Sequence, residues 1–280
     1  MQTPKAFRIN AKDSQSKDAL FIKLRKVGYY MKFYQSKLLN NYANLTHAFT
    51  TKSGGESLAP YSSLNLAFHV GDNPLTVQIN HELLAKKLSY EKRTLVHMKQ
   101  IHSNIVKIVT QNDNFDAPPT CDALITNKKN IPLMVMVADC SALLFYDDVQ
   151  KVIAVAHAGR AGAFQNIIKN VVSSFVENFH SNREDIRVSI GANIGACCYE
   201  VGDEVYEEAK KLELEYALHK KNGRYYLDVN KILKTQLLEA GIETNNIEIS
   251  DECSCCLREK YFSYRADGIT GRFCGVLMLH

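Results

Sequence analysis

Three short segments bring together side chains able to do chemistry: Gln100-Ile101-His102-Ser103, Ala138-Asp139-Cys140-Ser141 and Ala156-His157-Ala158-Gly159. Each sets one metal-binding or nucleophilic group just past an apolar run: residues 95–98 before His102, 133–137 before Cys140 and 152–155 before His157. Two imidazoles and a thiolate make the ligand set of an open zinc site, whose fourth position is left to water or substrate. Zinc so held lowers the pKa of its bound water toward neutrality. Without a metal, the same residues make Cys140 a nucleophile activated by His102 or His157. Taken singly they have plainer roles, the cysteine as a small buried hydrophobe and each histidine as a satisfied core group. Their shared position, where a strand runs out into a loop, favours a site. Asp139 is a candidate proton shuttle, and equally a residue that caps a strand end.

Apolar spacing supplies the elements that must position these groups. Asn73-Pro74 opens a helix to residue 88, with Pro74 suited to the first turn. The three-and-four spacing of Phe164, Ile167, Ile168, Val171, Val172, Phe175, Val176 and Phe179 predicts a helix over 164–179. Further helices are predicted at 203–218 and 228–240, the second opened by Asp228 and closed by Gly241. Strands are predicted at 19–24, 29–34, 94–98, 105–110, 123–126, 133–137, 142–146, 152–156, 186–190, 247–249 and 273–279. His157 then falls in a strand-to-helix turn, whose glycines allow close backbone approach and whose helix start favours an anion such as phosphate. Several strands follow one another without a helix between them, so the fold class is α+β with mixed or antiparallel sheets.

The chain has 280 residues and no Pro/Gly/Ser-rich linker or repeat, which predicts a single domain over 1–280. Its net charge of +4 is spread out, and basic residues are not interleaved with aromatics, so nucleic acid is not an expected partner. The first 17 residues lack the apolar core of a secretory signal, and no segment approaches a membrane span. Eight cysteines in such a chain are expected to stay thiols in the cytoplasm. Cys253, Cys255 and Cys256 lack the paired second half of a closed zinc site and are read as incidental or buried thiols. Asn65 and His69, an Asn-x-x-x-His pair, are candidates for a substrate pocket or for local turn chemistry.

In order, the chain also presents His47-Ala48-Phe49-Thr50, Asn65-Leu66, His69-Val70-Gly71-Asp72, Gln100-Ile101-His102, Cys121-Asp122-Ala123, Ala138-Asp139-Cys140, Ala156-His157-Ala158-Gly159, the segment from Gly195 to Gly202, Phe262-Ser263-Tyr264-Arg265 and Thr270-Gly271-Arg272. With these motifs it resembles the YfiH-like family, also called the laccase-domain or multicopper polyphenol oxidase family, which is associated with purine nucleoside metabolism. The resemblance implies a four-layered α/β/β/α fold with packed central sheets, and zinc on His102, Cys140 and His157. It also implies phosphorolysis of purine nucleosides, with adenosine deamination and methylthioadenosine phosphorolysis as companion activities. The substrates would be small purine nucleosides and phosphate, with Arg160, Arg265 and Arg272 as candidate phosphate-binding cations. The family usually carries Trp-Arg after His-Ala-Gly, where this chain has Arg160-Ala161, and often a second arginine where this chain has Ala266. Copper oxidase chemistry needs more clustered imidazoles than nine histidines with no His-x-His pair provide. The remaining alternatives are editing of peptidoglycan precursors through Cys140 and a non-catalytic zinc-binding protein.

Overall fold

Residues 31–280 are described by the computed structural model of the protein, so the expected strand at 19–24 and the start of the one at 29–34 lie outside them. In chain order the regular elements begin with β1 (Phe33–Tyr34), β2 (Leu45–Thr50), α1 (Pro74–Leu88), β3 (Val106–Ile108), β4 (Ala123–Thr126), β5 (Leu133–Val137), β6 (Ser141–Asp147) and β7 (Val152–Ala158). There follow α2 (Arg160–Phe164), α3 (Ile167–Phe179), β8 (Ile186–Ile190), β9 (Glu200–Val201), α4 (Asp203–Lys211), β10 (Leu218–Lys221) and β11 (Arg224–Leu227). The chain ends with α5 (Val229–Glu239), β12 (Ile247–Ile249), α6 (Tyr264–Asp267) and β13 (Phe273–Leu279).

Two sheets pack face to face. One has the order β1-β2-β13-β5 and the other β12-β8-β6-β7-β4-β3. Their central strands are buried on both faces, and the alternation of side chains assigns each buried residue to one of three cores. Between the sheets lie Leu133, Val135 and Val137 of β5, Ala142, Leu144 and Tyr146 of β6, Ile153 and Val155 of β7, and Phe273 and Leu277 of β13. The opposite faces of β6 and β7 (Leu143, Phe145, Ala154, Ala156, Ala158) meet Ile167, Ile168, Val171 and Phe175 of α3 and Ile232 and Leu233 of α5. Met134, Met136, Cys274 and Val276 meet Leu83 and Leu84 of α1 on the far side of the smaller sheet. The result is the four-layered helix/sheet/sheet/helix arrangement expected. No helix among the described residues is long and apolar enough to cross a membrane.

The structure also corrects several expected elements. The helix over 164–179 is two helices, α2 and α3, because Asn166 takes the left-handed conformation (φ 52°) and caps α3 by accepting from the Lys169 N–H. The helix over 203–218 stops at Lys211, and Leu218 begins a hairpin with β11 instead. The strand at 94–98 is reduced to a 3₁₀ turn at Lys92–Thr94 and a single bridge from Val96 to Leu133. β7 extends to Ala158, so His157 sits inside a strand, paired with Ala142 of β6, and not in a turn. α2 spans only Arg160–Phe164, too short to present the anion-favouring helix start expected there.

Candidate active site

Three segments at one end of the six-stranded sheet converge on one point. His157 lies on the inter-sheet side of β7, since its neighbours Ile153 and Val155 face that core. Cys140 lies at the corner between β5 and β6, and His102 in the loop before β3. One ligand atom from each lies within 4.8 Å of the others, and the two imidazoles meet edge to face at 4.9 Å. Gly159 lets this happen: a Cβ there would lie 2.6 Å from Cys140 Sγ and 3.7 Å from His102, so any side chain would displace the thiol. The backbone is bent to fit as well, with His102 at φ 60° and Asp139 at φ 85°, a region that non-glycine residues occupy at an energetic cost.

The group that orders the trio is Asp122, the residue before β4, which carries no separate role in the motifs read from the sequence. Fully buried, its carboxylate accepts from the backbone N–H groups of Ile101 (3.2 Å), His102 (3.1 Å) and Ser103 (2.7 Å) and from the Ser103 hydroxyl (2.7 Å). It also accepts from His157 Nδ1 at 2.8 Å. That bond fixes the His157 tautomer and leaves Nε2 as the nitrogen available to the trio, the usual carboxylate–histidine support of a metal ligand. Burial would raise the Asp122 carboxyl, but His157 and the Ser103 donors outweigh it and hold it well below the ordinary range. Burial likewise would raise the Cys140 thiol, yet the imidazoles of His157 and His102 hold it below its ordinary value, toward thiolate. An acidic residue opening an otherwise apolar strand, Asp122-Ala-Leu-Ile-Thr, is the sequence signal that points to it.

Two clefts flank Cys140 and share Ala138, Cys140 and Tyr264 in their walls. The wider, about 660 Å³, is lined by His69, Lys99, Gln100, His102, His157 and Arg272 among others. The smaller, about 170 Å³, is lined by Asp139, Gly159, Arg160, Tyr199 and Arg265. Nine of the candidate residues are therefore distributed as follows: His69, His102, Cys140, His157 and Arg272 around the wide cleft, Asp139, Arg160 and Arg265 with Cys140 around the small one, and Asn65 in neither. Asn65 is fully buried and accepts from the Arg272 N–H (2.9 Å) while donating to Asp72 (3.0 Å), so it holds the backbone that carries Arg272. Both oxygens of Asp139 are engaged, one by the Ser254 hydroxyl (2.7 Å) and one by the Arg265 N–H (2.6 Å).

The cations are partly committed too. Arg160 pairs with Glu208, and Arg265 donates to the carbonyls of Cys198 (3.2 Å) and Glu200 (3.0 Å) while lying over the Tyr199 ring. A guanidinium has five N–H donors, so each keeps some for a ligand. Burial lowers the pKa of Arg272, and burial and the nearby Arg272 charge lower that of His69, which favours a neutral imidazole beside the cation. Tyr264, Tyr199 and Gln100 were not singled out as binding residues by sequence. Gln100 clasps Met136 by both its N–H (3.0 Å) and its carbonyl (2.8 Å), substituting for a strand neighbour at the cleft floor.

The family model for multi-copper polyphenol oxidoreductase laccase matches residues 46–280. A purine nucleoside phosphorylase of Corynebacterium glutamicum is 36% identical over 234 residues, covering 82% of this chain and 93% of that protein. The purine nucleoside phosphorylase YlmD of Bacillus subtilis is 33% identical, covering 80% of this chain and 84% of its own. In three dimensions the hypothetical protein YfiH of Bacillus licheniformis superposes with a TM-score of 0.83 at 34% identity, over 90% of this chain and 97% of its own.

Proposed function

The chain belongs to the multi-copper polyphenol oxidoreductase laccase family, and from that membership together with the geometry we propose that it is a zinc-dependent purine nucleoside phosphorylase. The observation that carries the reading is the trio of His102, Cys140 and His157 placed between two clefts of unequal size. The donor set fits zinc: one thiolate and two imidazoles, one of them oriented by a buried carboxylate, leave the open fourth position of a catalytic site. His102, Cys140 and His157 would hold the ion, which when bound would supply Lewis-acid polarisation.

The wide cleft is of the size that holds small molecules, and we assign it the nucleoside. The small one, with Arg160 and Arg265, suits inorganic phosphate, whose charge the guanidiniums offset by charge-assisted hydrogen bonds. An oxygen of hydrogen phosphate then bonds to the sugar carbon as the bond to the purine nitrogen breaks, and the departing base takes up the proton that the phosphate loses. Tyr264, common to both clefts, lines the path between the two substrates. Asp139, with both oxygens engaged, positions Arg265 and the Ser254 loop instead of moving a proton. Adenosine deamination and methylthioadenosine phosphorolysis are proposed as companion activities of the same site, and a cytoplasmic location as its setting.

The test is to incubate metal-replete protein with adenosine, inosine, guanosine and methylthioadenosine, with and without phosphate, and identify the products. Free base and ribose 1-phosphate should appear only with phosphate, and His102→Ala should abolish both. Base released at an equal rate in phosphate-free buffer would make the protein a hydrolase. His97→Ala serves as the control, because His97 is buried against Phe115 and His81 on the other side of the smaller sheet, and its turnover per folded molecule should persist.

A further inference from the structure

Far from the His102 trio in the chain, a second group of metal-ligating side chains is assembled. Cys197, Cys198, Cys253 and Cys256 bring their sulfurs within 4.8 Å of one another. Cys253-Ser254-Cys255-Cys256 alone lacks a partner pair; the fold supplies it from 55 residues earlier in the chain, and Cys255 is not part of the group. The two loops that carry the sulfurs run side by side, with Asn193 bridging Cys253 and the Ser254 N–H donating to the Asn193 carbonyl at 2.8 Å. A turn closed by the Cys198 and Tyr199 N–H groups on the Gly195 carbonyl, each at 3.0 Å, then presents Cys197 and Cys198 to the other pair.

We propose that these four cysteines hold a second zinc ion, in a closed structural site. The spacing is that of a single tetrahedral ion: with Zn–S bonds of about 2.3 Å, ligand sulfurs stand about 3.8 Å apart. Here Cys256 Sγ lies 3.5 Å from Cys197 Sγ and 3.3 Å from Cys198 Sγ. An iron–sulfur cluster sets its cysteine sulfurs wider apart than this, because several metal atoms lie between them. The Gly195 N–H points at Cys253 Sγ (3.2 Å), a donor that stabilises a thiolate ligand. Hydrophobic burial does not account for the cluster, since Cys197 and Cys256 are exposed. Nor is there a disulfide: all eight cysteines are free thiols. The ion would tie together two loops beside the smaller cleft: one reaches it through Ile194 and Tyr199, and the other leads into α6, whose Tyr264 and Arg265 line it and whose Arg265 guanidinium donates to the Cys198 carbonyl.

Metal content and cobalt spectroscopy test this. Protein purified under reducing conditions should contain two zinc ions per chain by elemental analysis. Cys140→Ala should keep one, and its cobalt(II) form should show the intense visible and thiolate charge-transfer absorption of a tetrathiolate site. Cys253→Ser/Cys256→Ser should also keep one and lose that absorption, whereas Cys255→Ser should keep both ions. If the double variant does not fold, the Cys140→Ala spectrum decides by itself. One ion in the wild type that disappears with Cys140, a Cys140→Ala spectrum without thiolate charge-transfer intensity, or a Cys198–Cys256 disulfide in anaerobically prepared protein would each overturn the proposal. Iron in place of zinc would overturn the choice of ion.

Discussion

Asp122 governs the site although it touches no cleft. Five hydrogen bonds from three consecutive backbone N–H groups, a hydroxyl and an imidazole end on one carboxylate, tying the His102 loop and His157 to a common anchor. Asp122→Asn replaces an acceptor oxygen with an NH₂ that faces donors, so it should weaken zinc binding at His102, Cys140 and His157 roughly 10–100-fold. Competition with a chromophoric chelator reads this directly, and unchanged affinity would mean that Asp122 does not orient His157. The convergence of His102, Cys140 and His157 was legible in the sequence because each member follows a recognisable apolar run. Asp122 was marked only by its place at the head of an apolar strand, and its role was not legible, because that lies in partners 19 to 35 residues away, which adopt their positions only in the fold.

At the scale of elements, the buried strands were the most legible parts. β4, β5, β8, β12 and β13 occupy the expected residues, since a short apolar run bounded by turns has few other ways to satisfy its backbone and bury its side chains. The hairpin of β10 and β11 was missed despite a clear signal, Asn222-Gly223, whose positive φ values of 51° and 79° are those of a tight hairpin turn; the charged residues around it lack the apolar alternation that marks a strand, and 219–227 were given no element. At the opposite edge, Glu248 of β12 collects Ser36 Oγ (2.7 Å), Tyr34 Oη (2.8 Å) and the N–H groups of Leu38 (2.7 Å) and Lys37 (3.1 Å), fastening the β1 strand to the larger sheet. Burial would raise its carboxyl, but these donors together lower it below the ordinary value. With the folded value depressed, this stabilisation is complete above the unfolded pKa of about 4.3 and disappears as pH falls through the folded value. Glu248→Gln should therefore cost about 2 kcal/mol near neutrality and less as the pH drops below 4, by urea denaturation at each pH. An equal cost at both ends would show that charge plays no part in the fastening.

At the scale of the whole molecule, the two sheets share one core, and Phe49 is one residue that joins them directly. It belongs to β2 of the smaller sheet, yet Gly191, just past β8 of the larger one, has no room for a Cβ because that atom would lie 2.5 Å from the Phe49 ring. Phe49→Ala should cost about 3–5 kcal/mol, and both sheets should melt together in a single transition at a lower temperature. Far-ultraviolet circular dichroism and tyrosine fluorescence must then coincide; separate transitions would show that the sheets fold independently. The α+β class could be anticipated from the strand runs and the four layers from the family resemblance, but the partition of side chains among three cores depends on registers that no local pattern specifies. The pairing of Ala142 with His157 shows what such a register decides. A slip of one residue between β6 and β7 would turn His157 toward the helices and Ala156 toward Cys140, leaving two ligands where three are needed. If the trio holds zinc as proposed, capture of the ion must follow closure of this hairpin, and the rate at which metal is taken up during refolding becomes a clock for correct strand alignment.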